Sequence, residues 1–218
     1  MDLCYIEPPL GLTRRLNEIR KRLRASASPS VSGPHAGVRP QRPRVKLDSM
    51  FELKRQIVDV PDFPRPGILF RDITPLLRNQ FQPTIDALER LLDVDEWRCI
   101  DAIAGIESRG FILAAALAVR CGKGFVPIRK QGKLPPPVVD IAYALEYGSG
   151  VLEMQRGAGR LLLVDDVLAT GGTMRAAAEL CGLAGYEVGA LAALIDLKLE
   201  GTPFVWRNQA LRYVIDYE

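Results

Sequence analysis

The chain alternates short apolar runs with Ala-rich stretches. Apolar residues dominate 100–106, 161–164 and 187–197, as expected of strands buried on both faces of a sheet. Helices are predicted over 111–120 and 174–183, which lie between these runs. Strands that alternate with helices in this way predict an α/β fold with a mostly parallel sheet.

Weaker patterns predict the remaining elements. We expect helices over 51–58 and 83–92 and a strand over 124–128. Residues 138–155 alternate like a hairpin that turns at Gly148–Gly150, and short edge strands are predicted over 204–206 and 211–217.

Length and composition indicate a globular protein and bear on its location in the cell. At 218 residues with 48% apolar content, the chain is long enough to bury a substantial core. No apolar run approaches the roughly 20 residues that span a bilayer, and the acidic Asp2 and Glu7 are unlike the basic start of a signal peptide. We expect a cytoplasmic protein without membrane contact.

Charge is distributed unevenly along the chain. Residues 1–47 carry ten Lys and Arg against three acidic residues, a net charge of +7, so the overall +3 leaves −4 for residues 48–218. The stretch 25–44 consists mainly of Ser, Pro, Gly and Arg and has no apolar pattern, which predicts a disordered extension over 1–47 before one domain over 48–218. His35, the only histidine, lies in this extension, which excludes a histidine base in the domain.

The stretch 161–173 concentrates the chemistry. Its apolar run leads into Asp165 and Asp166, which can accept hydrogen bonds from two vicinal hydroxyls. The small residues of 169–173 follow and precede a helix, where backbone amides can surround a phosphate. A ribose 5-phosphate would suit both the acidic pair and the small-residue loop. The alternative interpretation is a buried strand with acidic residues at its end and no such ligand.

Residues 164–173 resemble the signature that binds 5-phosphoribosyl-1-pyrophosphate (PRPP) in type I phosphoribosyltransferases. The resemblance implies the doubly wound α/β fold of that family, with a small N-terminal hood at about 51–80, a core at about 98–200 and a flexible hairpin lid at about 130–155. It also implies that the 5-phosphate is held by Ala169, Thr170, Gly171, Gly172 and Thr173.

A second glycine-bracketed turn spans 105–110 between a predicted strand and a helix. Backbone amides at a helix start, together with Arg109, suit a diphosphate, although a helix start with a surface arginine is the ordinary alternative. The turn is similar to the family's pyrophosphate loop, which implies that Ser108 and Arg109 bind PRPP. It also implies a cis peptide bond, which we expect between Glu107 and Ser108.

Residues 61–75 are rich in proline and present an aromatic side chain. Alone, the pattern favours structural packing over a platform for a base. The stretch closely resembles the hood of adenine-specific members of the family. That resemblance implies that Phe70 stacks on adenine, while the backbone of Leu69 and Arg71 contacts the edge of the base.

Three cations, Arg129, Lys130 and Lys133, border the Gly- and Pro-rich stretch 131–138 and favour a mobile anion-binding lid, the alternative being a solvated basic loop. The motifs Lys-Leu-Pro at 133–135 and Leu-Glu-Tyr-Gly at 145–148 are similar to those flanking the catalytic loop in the adenine enzymes. They imply that Lys130 and Lys133 contact pyrophosphate, Glu146 handles a proton and Tyr147 closes over the base. Residues 136–139 depart from the family pattern, since they are Pro-Pro-Val-Val.

Taken together, the resemblance implies purine salvage by a homodimer. Adenine and PRPP would give AMP and pyrophosphate, with Glu146, Arg109, Asp165 and Asp166 as catalytic residues. Mg²⁺ would be held through substrate and water rather than by protein ligands. Two alternatives stay open: an enzyme for another base, and a PRPP-binding regulator that contacts nucleic acid through the basic extension, although that extension lacks interleaved aromatic residues.

Overall fold

The computed structural model describes residues 47–145 and 148–217. Its helices are α1 (Leu47–Lys54), α2 (Thr74–Asn79), α3 (Phe81–Glu89), α4 (Val94–Arg98), α5 (Arg109–Cys121) and α6 (Gly172–Leu183). Its strands are β1 (Val58–Pro61), β2 (Leu69–Asp72), β3 (Ala102–Ile106), β4 (Gly124–Lys130), β5 (Val139–Leu145), β6 (Gly148–Met154), β7 (Arg160–Leu168), β8 (Glu187–Asp196), β9 (Val205–Trp206), β10 (Gln209–Ala210) and β11 (Arg212–Asp216). The predicted extension over 1–47 lies outside these residues except for Leu47, where α1 begins.

A seven-stranded sheet forms the centre of the described chain, in the order β11-β8-β7-β3-β4-β6-β5. Its first five strands are parallel, and β6 and β5 continue it as an antiparallel hairpin. Helices cover both faces, which confirms the predicted doubly wound α/β fold. Among the described residues, no helix combines the length and the apolar character that crossing a membrane requires.

Strand β7 explains how the sheet is buried. Leu162 and Val164 join an apolar cluster with α3 and α5, while Leu161 and Leu163 join a second cluster with α6. All four side chains are fully buried, and each contributes about 1.5–3 kcal/mol by leaving water. A strand covered on both faces therefore has no polar alternation, which is why the run 161–164 is continuous.

Outside the main sheet, β1 and β2 form a small antiparallel hairpin. Asp59 lies opposite Arg71 and Val60 opposite Phe70. The predicted helix over 51–58 is therefore wrong at its C-terminal end, because the helix stops at Lys54 and Val58 pairs with Asp72 in the hairpin.

The predicted turn at Gly148–Gly150 is also wrong. Gly148 pairs with Leu145 and Gly150 with Tyr143, so residues 148–150 belong to strand β6. A Cβ on Gly150 would lie 2.9 Å from Cε1 of Tyr143. The glycine is needed there because an aromatic ring lies against the strand, not because the chain turns.

Helix α4 has no counterpart in the sequence-based prediction. Its first turn is closed by a capping box, in which Asp93 accepts hydrogen bonds from the N–H groups of Asp95 and Glu96, and Glu96 accepts one from the N–H of Asp93. Glu96 also pairs with Arg212 of β11, so this short helix is fixed by its cap and by a distant ion pair rather than by an apolar stripe.

Candidate active site

The two predicted phosphate-binding turns lie at one edge of the sheet. Strands β3 and β7 are parallel neighbours, with Gly105 opposite Val164. Their carboxyl ends therefore place the turn before α5 and the loop before α6 side by side, which is the usual ligand-binding edge of an open α/β sheet. The structure brings together what the sequence separates by about 60 residues.

The turn at 105–110 has the predicted backbone. The Glu107–Ser108 peptide bond is cis, as expected, and Ser108 is exposed just before α5 begins at Arg109. Gly110 lies so close to β7 that a Cβ there would be 2.9 Å from Asp165 Oδ1 and 3.0 Å from the Val164 carbonyl oxygen. Only glycine allows the start of α5 to approach the carboxylates this closely.

Arg109 connects three parts of the site. Its Nη2 lies 2.7 Å from Asp166 Oδ2, its Nη1 donates a 3.4 Å hydrogen bond to the Arg71 carbonyl, and its guanidinium carbon lies 4.9 Å from the centre of the Phe70 ring. One side chain therefore contacts the acidic pair and the hood at the same time.

Asp165 and Asp166 are buried at the site, with 9% and 7% of their surface exposed. Strand β7 continues past them to Leu168, because the pairing with β8 persists through Val167 and Ile195, and this extends the predicted strand. Burial, followed by repulsion from Asp166, raises the pKa of Asp165 well above its usual range. Burial also raises the pKa of Asp166 despite the opposing charge of Arg109.

One carboxylate oxygen in the acidic pair lacks a hydrogen bond. Asp165 Oδ1 accepts from the N–H of Asp166 at 2.9 Å, whereas Asp166 Oδ2 is buried without a hydrogen-bond donor, even though Arg109 is in ionic contact with it. Arg109 compensates the charge of this oxygen, which can still accept a hydrogen bond from a ligand hydroxyl. No group of three or more His, Cys, Asp or Glu that could hold a metal is found within 47–145 and 148–217.

The predicted phosphate loop runs from Ala169 to Thr173, with Thr170 exposed and α6 beginning at Gly172. Gly171 has a φ of +83° and precedes the helix as its N-cap. The Phe204 ring packs beneath it, so a Cβ on Gly171 would lie 2.5 Å from Phe204 Cδ2. Glycine is therefore required both by the backbone conformation and by the ring.

The basic residues of the predicted lid converge on Glu107, which sequence reasoning assigned no role beyond the cis bond. Lys133 Nζ lies 2.7 Å from Glu107 Oε1, Arg129 Nε lies 3.3 Å from Oε2, and the Lys130 N–H donates to Oε2 at 3.0 Å. Burial raises the pKa of Glu107, but Lys133, Lys130 and Arg129 outweigh burial and hold it at about 2. Glu107 is thus ionised, and it stabilises the fold above its unfolded pKa of about 4.3.

Glu153 is a second acidic residue that the sequence did not single out. Its buried carboxylate on β6 accepts hydrogen bonds of 2.7–3.0 Å from three successive N–H groups, those of Gly132, Lys133 and Leu134. Burial raises the pKa of Glu153, but these bonds outweigh it and lower the pKa overall. The weak signal in the sequence is a single acidic residue between the apolar Leu152 and Met154.

The hood presents Phe70 toward the site. Its ring is half-buried, packs edge-on against Phe63 at 5.2 Å and borders Arg109. Leu69 is 47% exposed, while the Arg71 side chain pairs with Asp59 and leaves its carbonyl to Arg109. The predicted Glu146 and Tyr147 lie outside the described residues.

Comparison with known proteins agrees with this geometry. Residues 81–206 match the family model described as the phosphoribosyl transferase domain. Adenine phosphoribosyltransferase of Hydrogenovibrio crunogenus is 49% identical over 167 residues, covering 76% of this chain and 96% of that protein. The enzyme of Bdellovibrio bacteriovorus is 55% identical over 146 residues, covering 67% and 88%.

Solved structures lead to the same group. The adenine phosphoribosyltransferase of Rhodothermus marinus superposes with a TM-score of 0.71 at 41% identity, covering 79% of this chain and 100% of that one. That of Saccharomyces cerevisiae, solved with adenine, gives 0.69 at 36% identity over 77% and 98%. The chain belongs to the phosphoribosyltransferases and, within them, to the adenine phosphoribosyltransferase family.

Asp165→Asn should stabilise the protein and impair it. The folded state holds the Asp165 proton more tightly than the unfolded state, so the ionised pair costs stability as the pH rises above about 4. Asn keeps the bond to Asp166 and removes the charge, so Tm at pH 7.5 should rise by about 3 °C, or about 1 kcal/mol. PRPP affinity should fall roughly 10–100-fold, because hydrogen bonds to charged groups contribute about 1.5–3 kcal/mol.

The matched control is Asp196→Asn, since Asp196 is also buried but pairs with Lys198 at 2.8 Å. Removing that charge abolishes the ion pair with Lys198 and should lower Tm. Thermal melts at pH 4 and pH 7.5 test the electrostatic cause. If the increase in Tm of Asp165→Asn over the wild type is just as large at pH 4 as at pH 7.5, the charge of Asp165 is not its cause.

Glu153→Gln should impair use of PRPP. The Glu153 carboxylate has two oxygens that accept hydrogen bonds from three backbone amides, whereas glutamine has only one acceptor oxygen. The segment that carries Lys133 therefore loses a hydrogen-bond partner. We expect kcat/KM for PRPP to fall at least tenfold, measured at saturating adenine. Asp140→Asn, at the exposed position opposite Glu153 on β5, is the control and should stay within twofold; equal losses in both variants would refute the role of Glu153.

Proposed function

We propose that this protein transfers the 5-phosphoribosyl group of PRPP to adenine, giving AMP and pyrophosphate in purine salvage. The observation that supports this most directly is the position of Arg109, which contacts Asp166 and the Phe70 ring together. A ribose site and a platform for a base therefore meet at one side chain. The names of the relatives favour adenine as that base.

The proposed ribose site is formed by β7 and the loop after it. The amides of Ala169, Thr170, Gly171, Gly172 and Thr173 hold the 5-phosphate at the start of α6, and Asp165 and Asp166 accept hydrogen bonds from the ribose 2- and 3-hydroxyls. The buried Asp166 Oδ2 supports this assignment, because it forms an ion pair with Arg109 but no aligned hydrogen bond, and a ribose hydroxyl can supply one. Binding thereby repays part of the cost of burying the two charges.

The proposed pyrophosphate site is cationic. Ser108 and Arg109 at the start of α5 receive the diphosphate, and Lys130 and Lys133 add charge from the lid. As the bond between the anomeric carbon and pyrophosphate breaks, negative charge grows on the leaving oxygens. Positively charged groups already fixed near those oxygens stabilise the transition state more than the ground state.

The residues at the carboxylate pair fit Mg²⁺. This ion prefers oxygen ligands and keeps several of its waters, and Asp165 and Asp166 offer carboxylate oxygens, one of them without a donor. We propose that Mg²⁺ is held mainly through substrate oxygens and water. When bound, it neutralises charge on the departing pyrophosphate.

The proposed base site uses the hood together with Glu146 and Tyr147. Phe70 stacks on adenine, the backbone of Leu69 and Arg71 contacts its edge, and Tyr147 closes over it. Nitrogen 9 of adenine attacks the anomeric carbon from the face opposite pyrophosphate, so the configuration inverts. Glu146 balances the change in charge on the base as nitrogen 9 loses its proton.

We infer that the protein is a homodimer and that residues 1–47 are an extension that catalysis does not need. Exposed apolar side chains on α5 support the dimer: Ile112 is 44% exposed and Val119, two turns later, is 85% exposed. A cytoplasmic location stays a prediction.

The base specificity can be measured directly. With PRPP and Mg²⁺, the purified protein should convert adenine to AMP and leave hypoxanthine, guanine and xanthine unreacted, as followed by chromatography of the products. Reaction with a different base would retain the PRPP site and overturn the assignment of the hood. PRPP binding without reaction of any base would favour the regulator.

Deleting residues 1–46 tests the extension, since it spares α1 from Leu47 onward. We expect kcat and both KM values within twofold of the full chain, and light scattering should give the mass of a dimer for both. Loss of nucleic-acid binding upon deletion, in a protein without transferase activity, would instead support the regulator.

A further inference from the structure

Tyr217 joins the edge of the sheet to the hood. It follows β11, and its N–H donates a 3.1 Å hydrogen bond to the carbonyl of Asp196 at the end of β8. Its half-buried ring packs against the apolar cluster beneath α3 and α5. The ring is therefore fixed to the rigid part of the molecule.

Two cations from the N-terminal part of the domain lie over this ring. The guanidinium carbon of Arg71 is 4.0 Å from the ring centre and Nζ of Lys54 is 4.3 Å away. Both distances are well within the range of favourable cation–π contacts. Lys54 also donates to the Asp216 carbonyl at 2.5 Å, so α1 is held at the same point.

Arg71 carries this attachment into the hood. It lies next to Phe70 in β2, and alternate side chains of a strand point to opposite faces. Its guanidinium pairs with Asp59 directly across the hairpin, and its carbonyl accepts from Arg109. The strand that carries Phe70 is thus held from behind by Tyr217 and from the front by Arg109.

We propose that Tyr217 is a positioning residue that sets the place of Phe70, and therefore the affinity for the purine, without touching either substrate. The proposal rests on the proposed role of Phe70 as the surface on which the base stacks. The proposed PRPP residues lie at the starts of α5 and α6, at the end of β7 and in the lid, whereas the two cations over the Tyr217 ring belong to α1 and the hood. Its loss should act on adenine and spare PRPP.

The variants Tyr217→Leu and Tyr217→Phe distinguish the effect of the aromatic π face from the effect of side-chain volume. Leucine retains apolar volume but has no π face for the cations, whereas phenylalanine keeps that face and lacks only the hydroxyl. In Tyr217→Leu the KM for adenine should rise at least fivefold, while kcat and the KM for PRPP stay within twofold. Tyr217→Phe should match the wild type in all three.

Tyr213, on the strand β11 that precedes Tyr217, offers a matched control. Its ring has a similar cationic neighbour, Lys198 Nζ at 4.1 Å, and this lysine lies outside the hood. Tyr213→Leu should leave the KM for adenine within twofold. An equal rise in both leucine variants, or an equal rise in the two KM values of Tyr217→Leu, would overturn the proposal.

Hydrogen exchange gives a readout that does not need activity. The amides of 69–72 should exchange faster in Tyr217→Leu than in the wild type or in Tyr213→Leu, while those of 161–173 stay unchanged. Unchanged exchange at 69–72 refutes the proposal. If the wild type makes no AMP, the proposed function fails and this comparison alone decides the role of Tyr217. Should Tyr217→Leu not fold, Arg71→Met removes the cation instead and is expected to speed exchange over the same residues.

Discussion

The contact between Arg109 and Asp166 is the interaction on which the site depends. It draws the first turn of α5 onto β7, and the same guanidinium reaches the hood through Phe70 and the Arg71 carbonyl. Gly110 makes that approach geometrically feasible. Without the arginine, two buried carboxylates would lose the counter-charge beside them, and the hood would lose its contact with the acidic pair on β7.

The sequence signals of the candidate site are strongest where its parts are continuous in the chain. The run 161–164, the acidic pair and the loop at 169–173 each signal their role locally, through burial, charge and the absence of side-chain bulk. The order of strands and helices then predicts that two such turns meet at one edge of the sheet. The fold class and the placement of the phosphate loops followed from these local signals, and the family resemblance supplied the cis bond and the base.

Interactions between distant residues could not be predicted in this way. Glu107 binds cations about 25 residues away, Glu153 binds a loop about 20 residues before it, and Tyr217 contacts a hairpin about 145 residues earlier. Nothing local distinguishes such residues from ordinary strand or turn residues. The predicted turn at Gly148–Gly150 was wrong for a related reason. In the sequence, a glycine required for close packing against a ring cannot be distinguished from a glycine required for a turn.

Glu107 also acts as a resident counter-ion for the lid. Lys133 and Arg129 already hold a carboxylate partner, so an anion arriving at these cations exchanges one charge pair for another and gains only the difference between them. The same carboxylate can reclaim the cations when the anion departs. On the proposed assignment of the lid cations to pyrophosphate, this exchange would weaken binding of the product and speed its release at the end of each turnover.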